Sequence, residues 1–259
     1  MLLRLPTSMS EAQECMAGGA VPIGGATLLW ATWQRDGFPT RAMSLRDLPE
    51  ANGIGPETLG SAVLLSRVDD RVPEVLRKAA AGVGTGAVRR TATVGGNLVG
   101  STLRCLLPAA LVLDAHAVIL EPEGVHLTDL AEVLAKRHLL LSLLWRAPIA
   151  SRYHKAAGEA GGPPPLVVAG ALHREEDGGK LLRVAVREDG EFLDEDVRCH
   201  PTAEEDLHAL RSGGLGRLSD EAWETVCRQV TDLLAPPAGH CAADAGDPGA
   251  ESPGRCWLG

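Results

Sequence analysis

The sequence predicts an α+β protein, with short strands and amphipathic helices alternating irregularly along a chain of 259 residues. Three observations lead there. Ser219 to Leu234 carries Ala222, Val226, Val230 and Leu233 at helical spacing, so one face is apolar. Compact apolar runs such as Leu139 to Trp145 and Leu166 to His173 are too short for that pattern and read as buried strands. Gly-Gly dipeptides follow two strand-like pieces, Val21-Pro22-Ile23 and Thr91-Ala92-Thr93-Val94, as sharp turns that leave backbone N–H groups pointing outward.

The hydrophobic fraction of 45% suits a soluble globular protein that can bury one large core or two modest ones. A net charge of -9, with no run of Lys or Arg, argues against a general nucleic-acid or anionic-membrane surface. The six cysteines have no CxxC pair and no regular spacing, which predicts neither a zinc nor an iron–sulfur site. The opening Met1 to Pro6 has too short an apolar run for a signal peptide, and no stretch has the length of a membrane span. A cytoplasmic protein with reduced thiols is the expectation.

In chain order, Ser8 and Glu11 form a capping-box pattern that starts a helix running to about Ala17, stopped by Gly18-Gly19. A strand at Pro22-Ile23 enters the first Gly-Gly turn, and Leu28 to Trp33 follows as a helix or extended segment. Ala42 to Arg46 reads as a strand, Pro49 to Ile54 as a link, and Thr58 to Leu65 as a further strand. Ser66 to Ala81 is predicted helical, with Val72, Val75, Leu76 and Ala79 on one face. Cys105 to Leu113 reads as a helix and Ala115 to Leu120 as a strand, with Pro122-Glu123-Gly124 as the turn to Val125-His126-Leu127. Pro148 to Ser151 is the expected domain boundary. Beyond it, strands at Leu166 to His173 and Leu181 to Arg187 flank the turn Asp177-Gly178-Gly179, and helices span Thr202 to Arg211 and Ser219 to Leu234. From Pro236 onward Pro, Gly, Ala and Asp predominate, so the segment 237–259 is predicted to be a mobile tail.

A Gly-Gly turn can be a bare connection between strands, or it can hold a phosphate with its main-chain amides. Here there are two, Val21-Pro22-Ile23-Gly24-Gly25-Ala26-Thr27-Leu28-Leu29 and Arg89-Arg90-Thr91-Ala92-Thr93-Val94-Gly95-Gly96-Asn97-Leu98. They resemble the two flavin-binding loops of the FAD-binding subunit of the xanthine dehydrogenase and carbon monoxide dehydrogenase family of molybdenum hydroxylases, typically Ala-Gly-Gly-Thr-Asp-Leu and Arg-Asn-x-Ala-Thr-Ile-Gly-Gly-Asn. The second match is the more specific.

The resemblance extends over about residues 1–236 and implies a whole FAD subunit. Its fold would be a two-subdomain FAD-binding domain of the vanillyl-alcohol oxidase (PCMH) type over residues 1–147, divided near 54, followed by a small α+β C-terminal domain over 148–236. It implies cofactor contacts from Ile23, Gly24, Gly25, Ala26, Thr27 and Leu28 and from Thr93, Gly95, Gly96 and Asn97, with the glycine amides around the diphosphate and Thr27, Thr93 and Asn97 giving side-chain hydrogen bonds. Tyr153, in a Tyr-x-Lys pattern with Lys155, lies either near the flavin ring or packed at a domain interface. Arg89 serves as an ion-pair partner or a flavin contact, and Lys155 as a solvated charge or a ligand. His116 is expected to be packed or hydrogen-bonded. No residue is assigned a catalytic role, since electron transfer asks for position more than proton chemistry. The implied partners are an iron–sulfur subunit and a molybdenum-cofactor subunit, with self-association left open.

Departures from the family pattern are plain. Ser101-Thr102-Leu103-Arg104-Cys105-Leu106-Leu107-Pro108 is one residue shorter than usual, and Cys105 stands near the place of an acidic flavin-side residue. Ala26-Thr27 replaces Thr-Asp, and Gly158-Glu159 stands where an Arg is usual. The departures leave open a stand-alone flavin-dependent oxidoreductase, or a scaffold subunit that has lost its flavin.

Overall fold

A computed structural model of the chain describes residues 1–101, 103–158 and 164–235. The expected tail and Glu159 lie outside the described residues. The chain opens with β1 (Leu2–Arg4), α1 (Met9–Ala17), β2 (Val21–Ile23), α2 (Leu29–Asp36) and β3 (Arg41–Ser44). The strands form a parallel sheet in the order β1-β3-β2, with the helices as crossovers. Ser8 caps α1 by accepting from the Glu11 amide, and Glu11 accepts from the Thr7 amide in place of the Ser8 one.

Single-turn helices at Leu45–Asp47 and Pro49–Ala51 lead into β4 (Ile54–Gly55) and β5 (Thr58–Gly60). The strand expected to reach Leu65 therefore stops at Gly60, where a Cβ would lie 2.2 Å from the Ala51 carbonyl oxygen as the chain turns against its neighbour. The helix expected from Ser66 is also shorter: α3 spans Glu74–Ala81. Pro73 is the reason, because the residue before a proline is held extended and proline is tolerated at a helix start but not within. Val72, Val75, Leu76 and Ala79 are all buried, so the expected apolar face holds although Val72 lies ahead of the helix.

Thr85 caps a short helix, α4 (Gly86–Arg89), which ends just before the run read as a strand. Thr93 pairs with Leu64 only as a single bridge, and Gly96–Gly100 forms one wide helical turn. Then follow α5 (Leu107–Val112), β6 (His116–Glu121), β7 (Gly124–Asp129), α6 (Leu130–Lys136) and β8 (Leu139–Leu144). Strands β4 to β8 build an antiparallel sheet in the order β4-β5-β8-β6-β7. The final unit is β9 (Ala150–Lys155), β10 (Leu166–Arg174), β11 (Lys180–Glu188), β12 (Glu191–Arg198), α7 (Ala203–Ser212) and α8 (Asp220–Leu234), its sheet ordered β12-β11-β10-β9.

Strand β10 is apolar along most of its length because both faces are covered. Val167, Ala169 and Ala171 join a core that also holds α3, α5 and residues of the five-stranded sheet, whereas Val168 and Leu172 pack with Val226, Val230 and Leu233 of α8. The largest core is thus continuous across residues 148–151. Helices α3 and α5 share that core with residues of both antiparallel sheets, and the second glycine loop runs between the two helices in sequence.

Two substitutions grade this packing in urea unfolding. Leu76→Ala, at a fully buried position, is expected to cost about 2–5 kcal/mol. Thr202→Ala removes the reciprocal Thr202–Glu205 capping box of α7 and is expected to cost about 1 kcal/mol.

Candidate functional site

The carboxyl ends of parallel strands leave the amides of the following turns facing outward, and ligands of open sheets collect there. At the carboxyl ends of β1, β2 and β3 the structure has a cavity of about 800 Å³. It is lined by Leu3, Ile23, Gly24, Gly25 and Ala26 from one side, and by Thr91, Thr93, Gly95 and Gly96 from the other. The volume is that of a site for a ligand of nucleotide size.

The two glycine loops touch. A Cβ built on Gly25 would sit 1.6 Å from the Thr91 carbonyl oxygen, and one on Gly24 would sit 2.4 Å from Thr93 Oγ1. These glycines are needed for the approach of one loop to the other, as well as for access to a ligand. The loops differ in what they can offer. Gly95 N–H donates to the Ser61 carbonyl at 2.8 Å and Gly96 N–H to Thr93 Oγ1 at 3.1 Å, so the outward-pointing amides expected of the second loop are turned inward. Among the described residues, the N–H groups of Gly24, Gly25, Ala26 and Thr27 have no acceptor in the chain. They lead directly into α2, whose N-terminus carries no side-chain cap. Free amides ahead of an uncapped helix are suited to an anion.

Charge reinforces that suitability. Arg46, Arg67, Arg90 and Arg137 line the cavity with one carboxylate, Asp47, in a protein whose net charge is -9. Asp47 lies 3.6 Å from Arg46, an exposed pair worth little by itself. Arg137 ends α6 in the left-handed region at φ +56, an uncommon conformation for a side-chain-bearing residue. These arginines come from separate segments and form no motif, so the sequence gives no signal that they meet. Leu29, Val99, Leu139 and Leu140 supply an apolar wall. A dianionic diphosphate joined to planar rings fits this donor set.

The remaining predicted residues lie elsewhere. Thr27 and Leu28 are exposed and outside the lining. Asn97 is buried, and its Oδ1 accepts from the Leu106 amide at 3.0 Å, holding the start of α5. Among the described residues Arg89 is neither an ion-pair partner nor a lining residue: its guanidinium donates to the Val83 and Gly84 carbonyls. Lys155 is not a solvated charge, since its Nζ donates to the Gly82 carbonyl at 2.6 Å. His116 is hydrogen-bonded, as one of its two expectations had it: it is exposed, with Nδ1 3.1 Å from the Asp114 carbonyl oxygen. Cys105 is a buried thiol of the main core, and Tyr153 is buried in the same core, on the sheet face turned toward α3 and α5.

Burial pushes the Tyr153 phenol well above its ordinary value of 10.0, and the nearby Cys105 adds to the shift. The phenol is neutral in both folded and unfolded chains below about 10, so its effect on stability appears only above that pH, where the unfolded chain ionises first. Tyr153 is the sole tyrosine. An alkaline absorbance titration is expected to show no phenolate until the protein unfolds, with stability falling as pH rises above about 10. A reversible phenolate signal from folded protein near pH 10 would contradict this.

Residues 3–140 match the family described as the FAD binding domain in molybdopterin dehydrogenase, more than half of the chain. Comparison with curated protein sequences gives no significant match. Among solved structures the fold is similar to a chain of quinoline 2-oxidoreductase from Pseudomonas putida 86, at 18% identity and a TM-score of 0.70, covering 90% of this chain and 96% of that one. It is similar also to a chain of reconstituted CO dehydrogenase from Oligotropha carboxidovorans, at 17% identity and 0.67, with 90% and 97% covered. The carbon monoxide dehydrogenase of Hydrogenophaga pseudoflava that lacks the Mo-pyranopterin moiety gives 18% and 0.65, with 90% and 96% covered. At these identities the structures show a shared fold, and the family match supplies the cofactor: the chain belongs to the FAD-binding family of molybdopterin dehydrogenases.

Proposed function

We propose that this chain is the FAD-binding electron-transfer subunit of a molybdenum hydroxylase-like oxidoreductase, receiving electrons from an iron–sulfur partner and releasing them through FAD to NAD or oxygen. The observation that carries the reading is the meeting of two glycine loops, some seventy positions apart in sequence, at one arginine-ringed cavity. Residues 1–147 would form the FAD-binding unit, with subdomains meeting near residue 54, and 148–236 the C-terminal unit.

In this reading the free amides of Gly24, Gly25 and Ala26 and the N-terminus of α2 hold the diphosphate. Arg46, Arg67, Arg90 and Arg137 neutralise its charge. Thr93 acts by keeping the second loop in shape through its bond from Gly96 N–H. FAD, when bound, accepts and releases electrons singly or in pairs, the property needed between a one-electron centre and a hydride acceptor. The protein's own task is to fix the cofactor and keep its approach defined, with no side chain needed as acid or base.

Purified protein is expected to take up one FAD per chain. Its flavin should be reduced when a reduced iron–sulfur partner is supplied, and reoxidised by NAD or oxygen. Reduction by a small organic substrate with no partner present would favour the stand-alone oxidoreductase, and a chain that takes up no FAD would overturn the proposal. Gly25→Ala should lower FAD affinity by roughly tenfold or more, because the new methyl group meets backbone and not a movable side chain. Gln in place of Arg67, Arg90 or Arg137 should weaken binding about two- to fivefold each, with a shallower salt dependence. Equilibrium titration by flavin fluorescence measures both.

A further inference from the structure

Between α6 and β8 the chain passes through Arg137 and His138, and both line the large cavity. The other charged groups of that lining are Arg46, Asp47, Arg67 and Arg90. Guanidinium and carboxylate groups keep their charge across the neutral range, whereas an imidazole gains or loses its proton within it. Among the described residues, His138 is therefore the one member of the lining whose charge can change when a charged ligand arrives.

Antiparallel pairing of β6 with β8 matches Leu120 with Leu139, so the next step of the register brings Glu121 to His138. The His138 Nδ1 lies 3.1 Å from Glu121 Oε1, and its buried Nε2 has no partner among the described residues. Glu121 also lies 3.8 Å from the His126 Nε2 on β7. On α6, Glu132 is paired with Lys136 at 2.6 Å and lies within electrostatic reach of the His138 ring. Neither Glu121 nor Glu132 lines the cavity, whereas the ring does. The empty chain thus meets the needs of an imidazolium at Nδ1 and leaves Nε2 unmet, and it offers no donor that would fix the neutral ring. Neither protonation state is locked, so an anion in the cavity decides between them.

We infer that His138, anchored by Glu121, is a proton-linked member of the cationic set of the cavity: it takes up a proton from solvent when the diphosphate enters, and so makes FAD affinity depend on pH. The inference rests on the FAD reading above and adds a regulation to the same site. The effect is coulombic and needs no direct bond between ring and phosphate. The negative charge of the diphosphate favours imidazolium over imidazole, and by linkage the imidazolium favours the diphosphate by the same factor. The sign follows from that. Binding is tightest where the ring is protonated and weakens as rising pH makes it neutral, down to the level that the arginines hold by themselves.

The test is FAD titration of the full chain by flavin fluorescence from about pH 6 to about pH 8.5, with calorimetry in two buffers of different ionisation enthalpy to count protons. Wild type should bind about three- to tenfold more tightly at the acid end, with net proton uptake, and added salt should flatten the dependence. His138→Gln should remove both the slope and the uptake while keeping the affinity that wild type has at the alkaline end. His126→Gln, whose ring lies outside the cavity lining, should behave as wild type. Wild type that binds FAD without proton uptake would overturn the inference and leave the FAD reading intact, as would a slope that survives in His138→Gln or vanishes in His126→Gln. The wild-type measurement needs no substitution, so a variant that fails to fold leaves the test standing. Wild type that binds no FAD at any pH overturns both readings.

Discussion

Contact between two backbone segments, Gly25 against the Thr91 carbonyl, sets the rest of this molecule in place. The first loop ends a parallel strand of a small sheet, and the second runs, in sequence, between helices whose core also takes in residues of two antiparallel sheets. Neither could make half of the cavity for the other if a methyl group stood between them. The sheets, helices and caps can be viewed as the means of carrying these two turns to within van der Waals distance. The same closeness divides their labour: the second loop spends its amides inward, on Ser61 and Thr93, and the first keeps its amides free. Satisfied amides on one side and open donors on the other give a cradle that needs little reorganisation when an anion enters.

Much of the fold could be read from local chemistry. Ser8, Thr202 and Ser219 announce helix starts, and each accepts the expected amide. The hairpin at Asp177-Gly178-Gly179 and the turn at Gly124 carry their own conformational requirement in glycine at positive φ. What escaped was of three kinds. Strand β12, Glu191–Arg198, is rich in charge because it is an edge strand facing water, so its apolar residues are too few to announce it. Helix α6 is only seven residues long, close to the limit at which periodicity can be distinguished from chance. The helix over-extended to Ser66 shows apolar spacing surviving where proline forbids the conformation.

The site was legible in part for the same reason. Gly24, Gly25, Gly95 and Gly96 are adjacent in pairs and visible as words in the sequence, and all four line the cavity. Asn97 belongs to the same word but faces inward to hold α5, which no local pattern could reveal. The arginines at 46, 67, 90 and 137 are scattered over about ninety positions and converge only once four segments have folded. Long-range electrostatics is a property of the assembled surface, and a one-dimensional reading sees only a net charge, here of the opposite sign.

Strand β10 supplies side chains to two cores at once, alternating Val167, Ala169 and Ala171 toward α5 with Val168 and Leu172 toward α8. The hinge-like stretch between Trp145 and Ala150 is therefore a connector in sequence only. Cutting the peptide there would leave the halves interlocked by their shared interior, as a nicked duplex stays together. A lineage seeking to swap the terminal sheet for another would have to rebuild the face on which α3 and α5 rest.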